Sequence, residues 1–116
     1  LLIGLVKDPA HGFVLTLAAG GVLTELLDDR VSMLLPASKE QIKQSLTRLK
    51  IAKTLHGYRG RSKADIDPII AAIDAVQSYV LANLTDIEEV EINPLIITQT
   101  QAIAVDALIR KRHDTA

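Results

Sequence analysis

Apolar and polar residues alternate along the first third of the chain with the period of a strand. Leu1–Lys7 is an apolar run closed by Asp8-Pro9 and His11-Gly12, residue pairs that favour a turn. Phe13–Ala18 reads as a second strand. Gly20-Gly21 leads into a third, Val22–Leu27, with Val22, Thr24 and Leu26 on one face and Leu23, Glu25 and Leu27 on the other. Asp28-Asp29 turns the chain into a short fourth strand, Val31–Leu35. Short turns between such runs favour antiparallel neighbours.

The period then changes to that of a helix. Ser38-Lys39-Glu40-Gln41 has the form of a capping box, after which Ile42, Leu46 and Leu49 fall on one stripe. The polar run Gly57-Tyr58-Arg59-Gly60-Arg61-Ser62 reads as a loop. Asp67-Pro68 opens a second helix, with Asp67 as cap and Pro68 at the first helical position. Its apolar residues Ile69, Ile70, Ile73, Val76 and Val80 lie three and four apart. After Asn83 the period returns to two: Val90 and Ile92 point one way, and Glu89, Glu91 and Asn93 the other. Ala102–Asp106 alternates again beyond the polar turn Gln99-Thr100-Gln101. The pattern predicts a single α+β domain over residues 1–116, a mostly antiparallel sheet with two helices packed on one face.

Folding the terminal hairpin about a centre between Gln99 and Thr100 sets Asn93 opposite Asp106, and directly opposed residues have Cβ atoms about 5 Å apart. Glu91 shares the face of Asn93, while Val90, Ile92, Ile103 and Val105 are expected to anchor the other. Two carboxylates and an amide on one patch are hard oxygen ligands of the kind magnesium takes beside phosphate and water. A polar, solvated face of an edge hairpin accounts for the same spacing. On spacing alone the solvated face is the favoured reading.

Composition narrows the function classes. The 116 residues are 48% hydrophobic and carry a net charge of −1, which fits a soluble globular domain without a broad attraction for nucleic acid or anionic membrane. Phe13, Tyr58 and Tyr79 are the only aromatic residues, too few for a base-stacking platform. The absence of cysteine excludes disulfides and thiolate metal sites, and it suits a cytoplasmic protein. Leu1–Val6 begins without methionine and is far shorter than the roughly 20 residues a membrane span needs. It reads as a strand cut or trimmed from a longer protein.

Four ordered motifs add a resemblance. Glu91-Ile92-Asn93-Pro94-Leu95 with Ala104-Val105-Asp106-Ala107 resembles the closing signature of the ATP-grasp domain in succinyl-CoA synthetase-like enzymes. Three more segments resemble the ADP-forming acetyl-CoA synthetase branch. They are Leu2–Pro9, the glycine-pair strand Gly20–Asp29, and Leu55–Arg61 with Ala64-Asp65. The chain departs from that pattern at His11-Gly12-Phe13, where Phe-Gly-Pro is usual, and at Ala18-Ala19-Gly20-Gly21, where Gly-x-Gly-Gly is usual.

The resemblance implies the C-terminal lobe of an ATP-grasp domain, with Glu91, Asn93 and Asp106 as metal ligands. Mg2+ is then the cofactor and ATP or ADP the nucleotide. The resemblance makes Glu25 and Arg59 contacts to its phosphates; a solvent-facing strand carboxylate and a loop arginine are the alternative readings. Arg61 is a second charge fork, and a structural tie of either arginine to Asp65 or Asp67 is equally open. The implied reaction is reversible: acyl-CoA, ADP and phosphate exchange with acid, CoA and ATP through acyl phosphate and phosphohistidine.

The missing N-terminal lobe and CoA-binding ligase domains are the implied partners, in cis or as another subunit, and an oligomer is compatible. The segment alone is expected to bind Mg-ATP poorly and not to turn over. The alternative is an ATP-grasp-like regulatory or oligomerisation module fused to a protein acetyltransferase. His11, His56 and His113 read as loop or tail residues, because the phosphorylated histidines of the family are expected in other segments. Arg110-Lys111-Arg112 reads as a solvated end. Neither the acyl group nor the direction of the reaction is written in the sequence.

Overall fold

In the computed structural model, described at residues 1–19, 29–49, 66–98 and 100–112, a hairpin opens the chain. Its strands are β1 (Leu2–Asp8) and β2 (Gly12–Ala18), paired antiparallel from Leu2 with Ala18 to Asp8 with Gly12. The turn is fixed by chemistry that Asp8 supplies. Its Oδ1 accepts from the Ala10 N–H at 2.7 Å and the His11 N–H at 3.2 Å, an arrangement typical of aspartate in turns. Gly12, at φ 85°, occupies the left-handed region that favours glycine. The Ala10 N–H, and then the neighbouring His11, hold the Asp8 carboxyl below its ordinary value of 3.8 against an opposing desolvation.

After β3 (Arg30–Leu34) come α1 (Lys39–Arg48) and α2 (Asp67–Ala82). The chain ends in β4 (Ile87–Ile92), β5 (Leu95–Ile97), β6 (Ala102–Ala104) and β7 (Ala107–Lys111). Among the described residues, five strands form one antiparallel sheet in the order β3-β2-β1-β4-β7, and β5 and β6 form a second. The expected α+β architecture is therefore the one observed. The predicted strand Val22–Leu27 and the loop Gly57–Ser62 lie outside the described residues.

Both helices cover one face of the large sheet. The α1 stripe Ile42, Leu46 and Leu49 is buried, as are Ile69, Ile73 and Val80 of α2, against Ile3, Leu5, Leu15 and Leu17 of the sheet. Each such side chain contributes roughly 1.5–3 kcal/mol by leaving water. The capping box forms as expected: the Gln41 N–H donates to Ser38 Oγ at 3.1 Å, and the Ser38 N–H donates to Gln41 Oε1 at 2.8 Å. The start of α2 differs from expectation. Asp67 is its first residue and not its cap; Ile66 takes the cap position, without a side-chain cap bond, and Pro68 sits in the first turn.

One polar residue belongs to the core. Gln77 is 3% exposed, accepts from the Ala37 N–H at 2.6 Å and donates to the Ala37 carbonyl at 2.9 Å. It clasps the segment ahead of α1 to α2. Burying the amide costs little, because its hydrogen bonds are made.

The sequence reading needs two corrections at the C-terminal end. Ile103 and Val105 do not anchor a buried face: they are 46% and 62% exposed. Alternation shifts by one residue between buried Ile92 and buried Leu95, so Ile96 and its partner Ile103 turn outward while Leu95 and Ile97 face the core. The basic stretch is solvated as expected, but it belongs to a strand and not to a tail. Arg110 and Lys111 belong to β7, and the Arg112 N–H donates to the Asp86 carbonyl at 2.6 Å.

Candidate functional site

The face of the large sheet away from the helices is crossed by rows of side chains, one from each strand. In one row Ser32, Thr16, Gly4, Glu91 and Leu108 stand side by side. In the next stand Leu34, Val14, Val6, Glu89 and Arg110. Alternation dictates this, since β4 buries Val90 and Ile92 and so turns Glu89 and Glu91 to the open side, while the irregularity between Ile87 and Glu89 lets Ile87 stay buried as well. Thr16 and Ser32 share a hydroxyl–hydroxyl bond of 2.9 Å.

The two carboxylates have different neighbours. Glu89 receives Arg110 from across the strand pair, Nε to Oε1 at 3.2 Å. Glu91 has Gly4 on one side and Leu108 on the other, neither of which can answer a charge. Among the described residues, the side chains of Glu91, Asn93 and Asp106 make no hydrogen bond or ion pair. Glu91 and Asn93 are half-buried and Asp106 is exposed.

Asn93 and Asp106 meet where the large sheet passes into the small hairpin. The Asn93 N–H donates to the Asp106 carbonyl at 3.2 Å, and the Val105 N–H donates to the Pro94 carbonyl at 3.1 Å. Beyond them Leu95 pairs with Ala104, Ile96 with Ile103 and Ile97 with Ala102. This is the register expected from a turn centred between Gln99 and Thr100. Glu91 lies two residues before Asn93 on the same strand run. The three predicted ligands thus come from one long hairpin, with Asn93 and Asp106 directly opposed.

Among the described residues no group of three or more histidine, aspartate and glutamate side chains could hold a metal. Two carboxylates and an amide oxygen remain, a set that suits a cation sharing its shell with phosphate oxygens and water. Glu25, Arg59, Arg61, His56 and His113 lie outside the described residues. His11 sits exposed on the β1–β2 turn, its Nδ1 3.4 Å from the Asp8 carboxylate, where it has a turn to stabilise.

Two features of this face escaped the sequence reading. The Glu89–Arg110 pair follows from carrying the hairpin register outward from Asn93 and Asp106. Gly4 is found only once β1 is known to lie beside β4.

Comparison with known proteins gives the site its context. The ATP-grasp domain family matches residues 1–110. The beta subunit of the ADP-forming acetate–CoA ligase I of Pyrococcus furiosus is 31% identical over 107 residues, which cover 92% of this chain and 46% of that subunit. The ADP-forming 4-hydroxybutyrate–CoA ligase of Nitrosopumilus maritimus is 28% identical over 99 residues, 85% of this chain and 14% of that one. Among solved structures, the acetyl-coenzyme A synthetase 1 of Ca. Korarchaeum cryptofilum, in complex with coenzyme A and Mg-AMPPCP, superposes with a TM-score of 0.87. It is 32% identical, and the match covers 96% of this chain and 52% of that one.

The chain thus spans about half the length of that beta subunit and of that solved chain. No helix among the described residues is long and apolar enough to cross a membrane. With the family matched almost from end to end and the fold shared at that level, this chain belongs to the ATP-grasp domain family.

Proposed function

We propose that the chain forms one side of a magnesium–nucleotide site in an ADP-forming acyl-CoA ligase. The observation that carries this reading is the contrast between Glu89 and Glu91 on β4: Glu89 is paired with Arg110, and Glu91 is left with glycine and leucine as its cross-strand neighbours. A half-buried carboxylate that no described residue answers is suited to a cation brought by a ligand. Glu91 and Asp106 would supply negative oxygens and Asn93 a neutral one. Magnesium held there would offset the charge of the nucleotide phosphates. Glu25 and Arg59 are assigned to the same phosphates on the family resemblance.

The whole reaction proposed is the reversible exchange of acyl-CoA, ADP and phosphate for acid, CoA and ATP, by way of acyl phosphate and phosphohistidine. The other ATP-grasp lobe and the CoA-binding parts belong to the rest of the protein or to a partner subunit. Relatives named for acetate and for 4-hydroxybutyrate both match this segment. The choice of acid is therefore assigned to other parts of the protein.

The test is Asp106→Asn in the protein as its gene encodes it, following phosphate transfer from ATP. Removing one of two ligand charges is expected to slow transfer at least roughly tenfold, the lower end of what perturbed metal shells cost. The melting midpoint should hold, since the side chain is exposed and makes no bond among the described residues. Transfer at the normal rate would refute the assignment.

A further inference from the structure

β7 (Ala107–Lys111) closes the large sheet on one side, and every one of its residues is exposed. Its inner side pairs with β4, and among the described residues nothing pairs with its outer side. Such an edge presents a row of unsatisfied backbone groups, which proteins commonly guard with charge. Here the strand carries the exposed apolar residues Leu108 and Ile109, with Arg110, Lys111 and, just past its end, Arg112. Those cations block pairing only if they would face one another.

The ladder with β4 decides which backbone groups point outward. The Asn93 N–H donates to the Asp106 carbonyl, and the Arg112 N–H donates to the Asp86 carbonyl. Asp106 and Arg112 therefore turn their backbone groups inward, and by alternation so do Leu108 and Arg110. The groups of Ala107, Ile109 and Lys111 point away from the sheet. Side chains alternate as well: Leu108 and Arg110 stand on the open face, opposite Glu91 and Glu89, and Ile109 lies on the helix side, opposite Val90.

A second copy laid antiparallel along this edge, with a two-fold axis at Ile109, satisfies both patterns. Ile109 then faces Ile109 of the copy and Ala107 faces Lys111, so the outward groups of all three residues bond. Leu108 faces Arg110, and Asp106 faces Arg112. No cation meets a cation, and the acidic start of each strand meets the basic end of the other. Neighbouring registers fail. An axis at Arg110 or Lys111 would set that cation against itself, and like charges directly opposed destabilise a ladder. An axis at Leu108 carries the ladder to Val105, whose N–H is already given to the Pro94 carbonyl.

We infer that β7 is a homodimer edge, along which two copies of the chain join their sheets with Ile109 against Ile109 and Asp106 against Arg112. The side chains of Asp106 and Arg112 make no hydrogen bond or ion pair among the described residues. The contact does not depend on the nucleotide site, and a carboxylate has two oxygens, so Arg112 of the copy leaves one of them to a cation. A single strand from each copy is well short of the roughly 20–30 residues a side of a standard interface, so the dimer is weak and concentration-dependent.

Disulfide trapping in the protein as its gene encodes it tests the register. Residues 1–116 contain no cysteine, so a thiol placed here is new. In Ile109→Cys the thiols sit on directly opposed residues with Cα atoms about 5.5 Å apart, within the span of a disulfide. In Lys111→Cys they are about 14 Å apart, beyond it. Under glutathione disulfide, Ile109→Cys is expected to form a dimer joined 109 to 109, identified by mass spectrometry of the linked peptide. Trapping should be at least about tenfold faster than for Lys111→Cys. Adding Arg112→Asp sets acid against acid and should slow trapping roughly fivefold, and adding Asp106→Arg to that chain should restore it. The melting midpoint should hold, because Ile109 is exposed. If it falls, Ala107→Cys with Lys111→Cys in one chain gives the same test through a 107-to-111 link between copies. Absence of the expected link, equal trapping of Lys111→Cys, or no rescue by the exchanged charges would each overturn the inference.

Discussion

Two positions of β4, Glu89 and Glu91, present the same carboxylate to the same face and receive opposite answers. At Glu89 the flanking strands offer Val6 and Arg110, and the arginine closes an ion pair at 3.2 Å. At Glu91, two residues on, they offer Gly4 and Leu108, and no described residue pairs with the charge. Residue type, strand and orientation are shared, so none of these separates the two. What separates them is the cross-strand neighbour, and the difference distinguishes a carboxylate that ties two strands together from one available to a ligand. An exposed pair such as Glu89–Arg110 adds only about 0.2–1 kcal/mol to the fold.

The comparison can be broken by making the Glu91 position resemble that of Glu89. Leu108→Arg would place a guanidinium opposite Glu91, as Arg110 stands opposite Glu89. Leu108 is 54% exposed, so the larger side chain has room. The account expects Mg-ADP affinity to fall by roughly tenfold to a hundredfold, on the scale of other perturbations to a metal shell, while the melting midpoint changes little. Calorimetry and thermal melting on the intact protein check both halves. Full affinity with an arginine in place would mean that Glu91 is not the group that meets the cation.

A smaller effect, away from the site, separates ligand chemistry from fold chemistry among the acids. Asp8 is held below 3.8 chiefly by the Ala10 N–H, so the folded state favours its ionised form. Its contribution to stability is complete above that ordinary value and is lost as the pH falls through the lower folded value. Asp8→Asn should therefore flatten the acid limb of the stability curve below pH 3.8, measured by thermal melting across pH, and leave Mg-ADP affinity as it was. An acid limb identical in both proteins would show that the turn carboxylate is not linked to folding.

The same rule of neighbours explains what could be read in the sequence. The hairpin register was legible because a period of two on each side of a polar turn leaves few ways to pair. The opposition of Asn93 and Asp106 followed directly. The helices were legible because Ile42, Leu46 and Leu49, and Ile69, Ile73 and Val80, repeat at helical spacing against a single sheet face. Gln77 sits on that stripe, three residues before Val80, and its position was the signal that it is buried.

Exposure at the C-terminal end was not legible. β7 is an edge strand with every residue exposed, so no alternation marks it, and its cations read as a tail. The phase shift between Ile92 and Leu95 hid the outward turn of Ile103. Gly4 beside Glu91 was hidden for another reason: it depends on pairing between strands more than 80 residues apart, which no local pattern encodes.

The central claim is that Glu91 and Glu89 differ in kind. Titration calorimetry with Mg-ADP on the intact protein, comparing Glu91→Gln with Glu89→Gln, addresses it most directly. The account predicts that Glu91→Gln weakens binding by at least about tenfold, and that Glu89→Gln leaves it within a factor of about two, the measure of a lost surface pair. Equal effects of the two substitutions, or undiminished binding by Glu91→Gln, would contradict it.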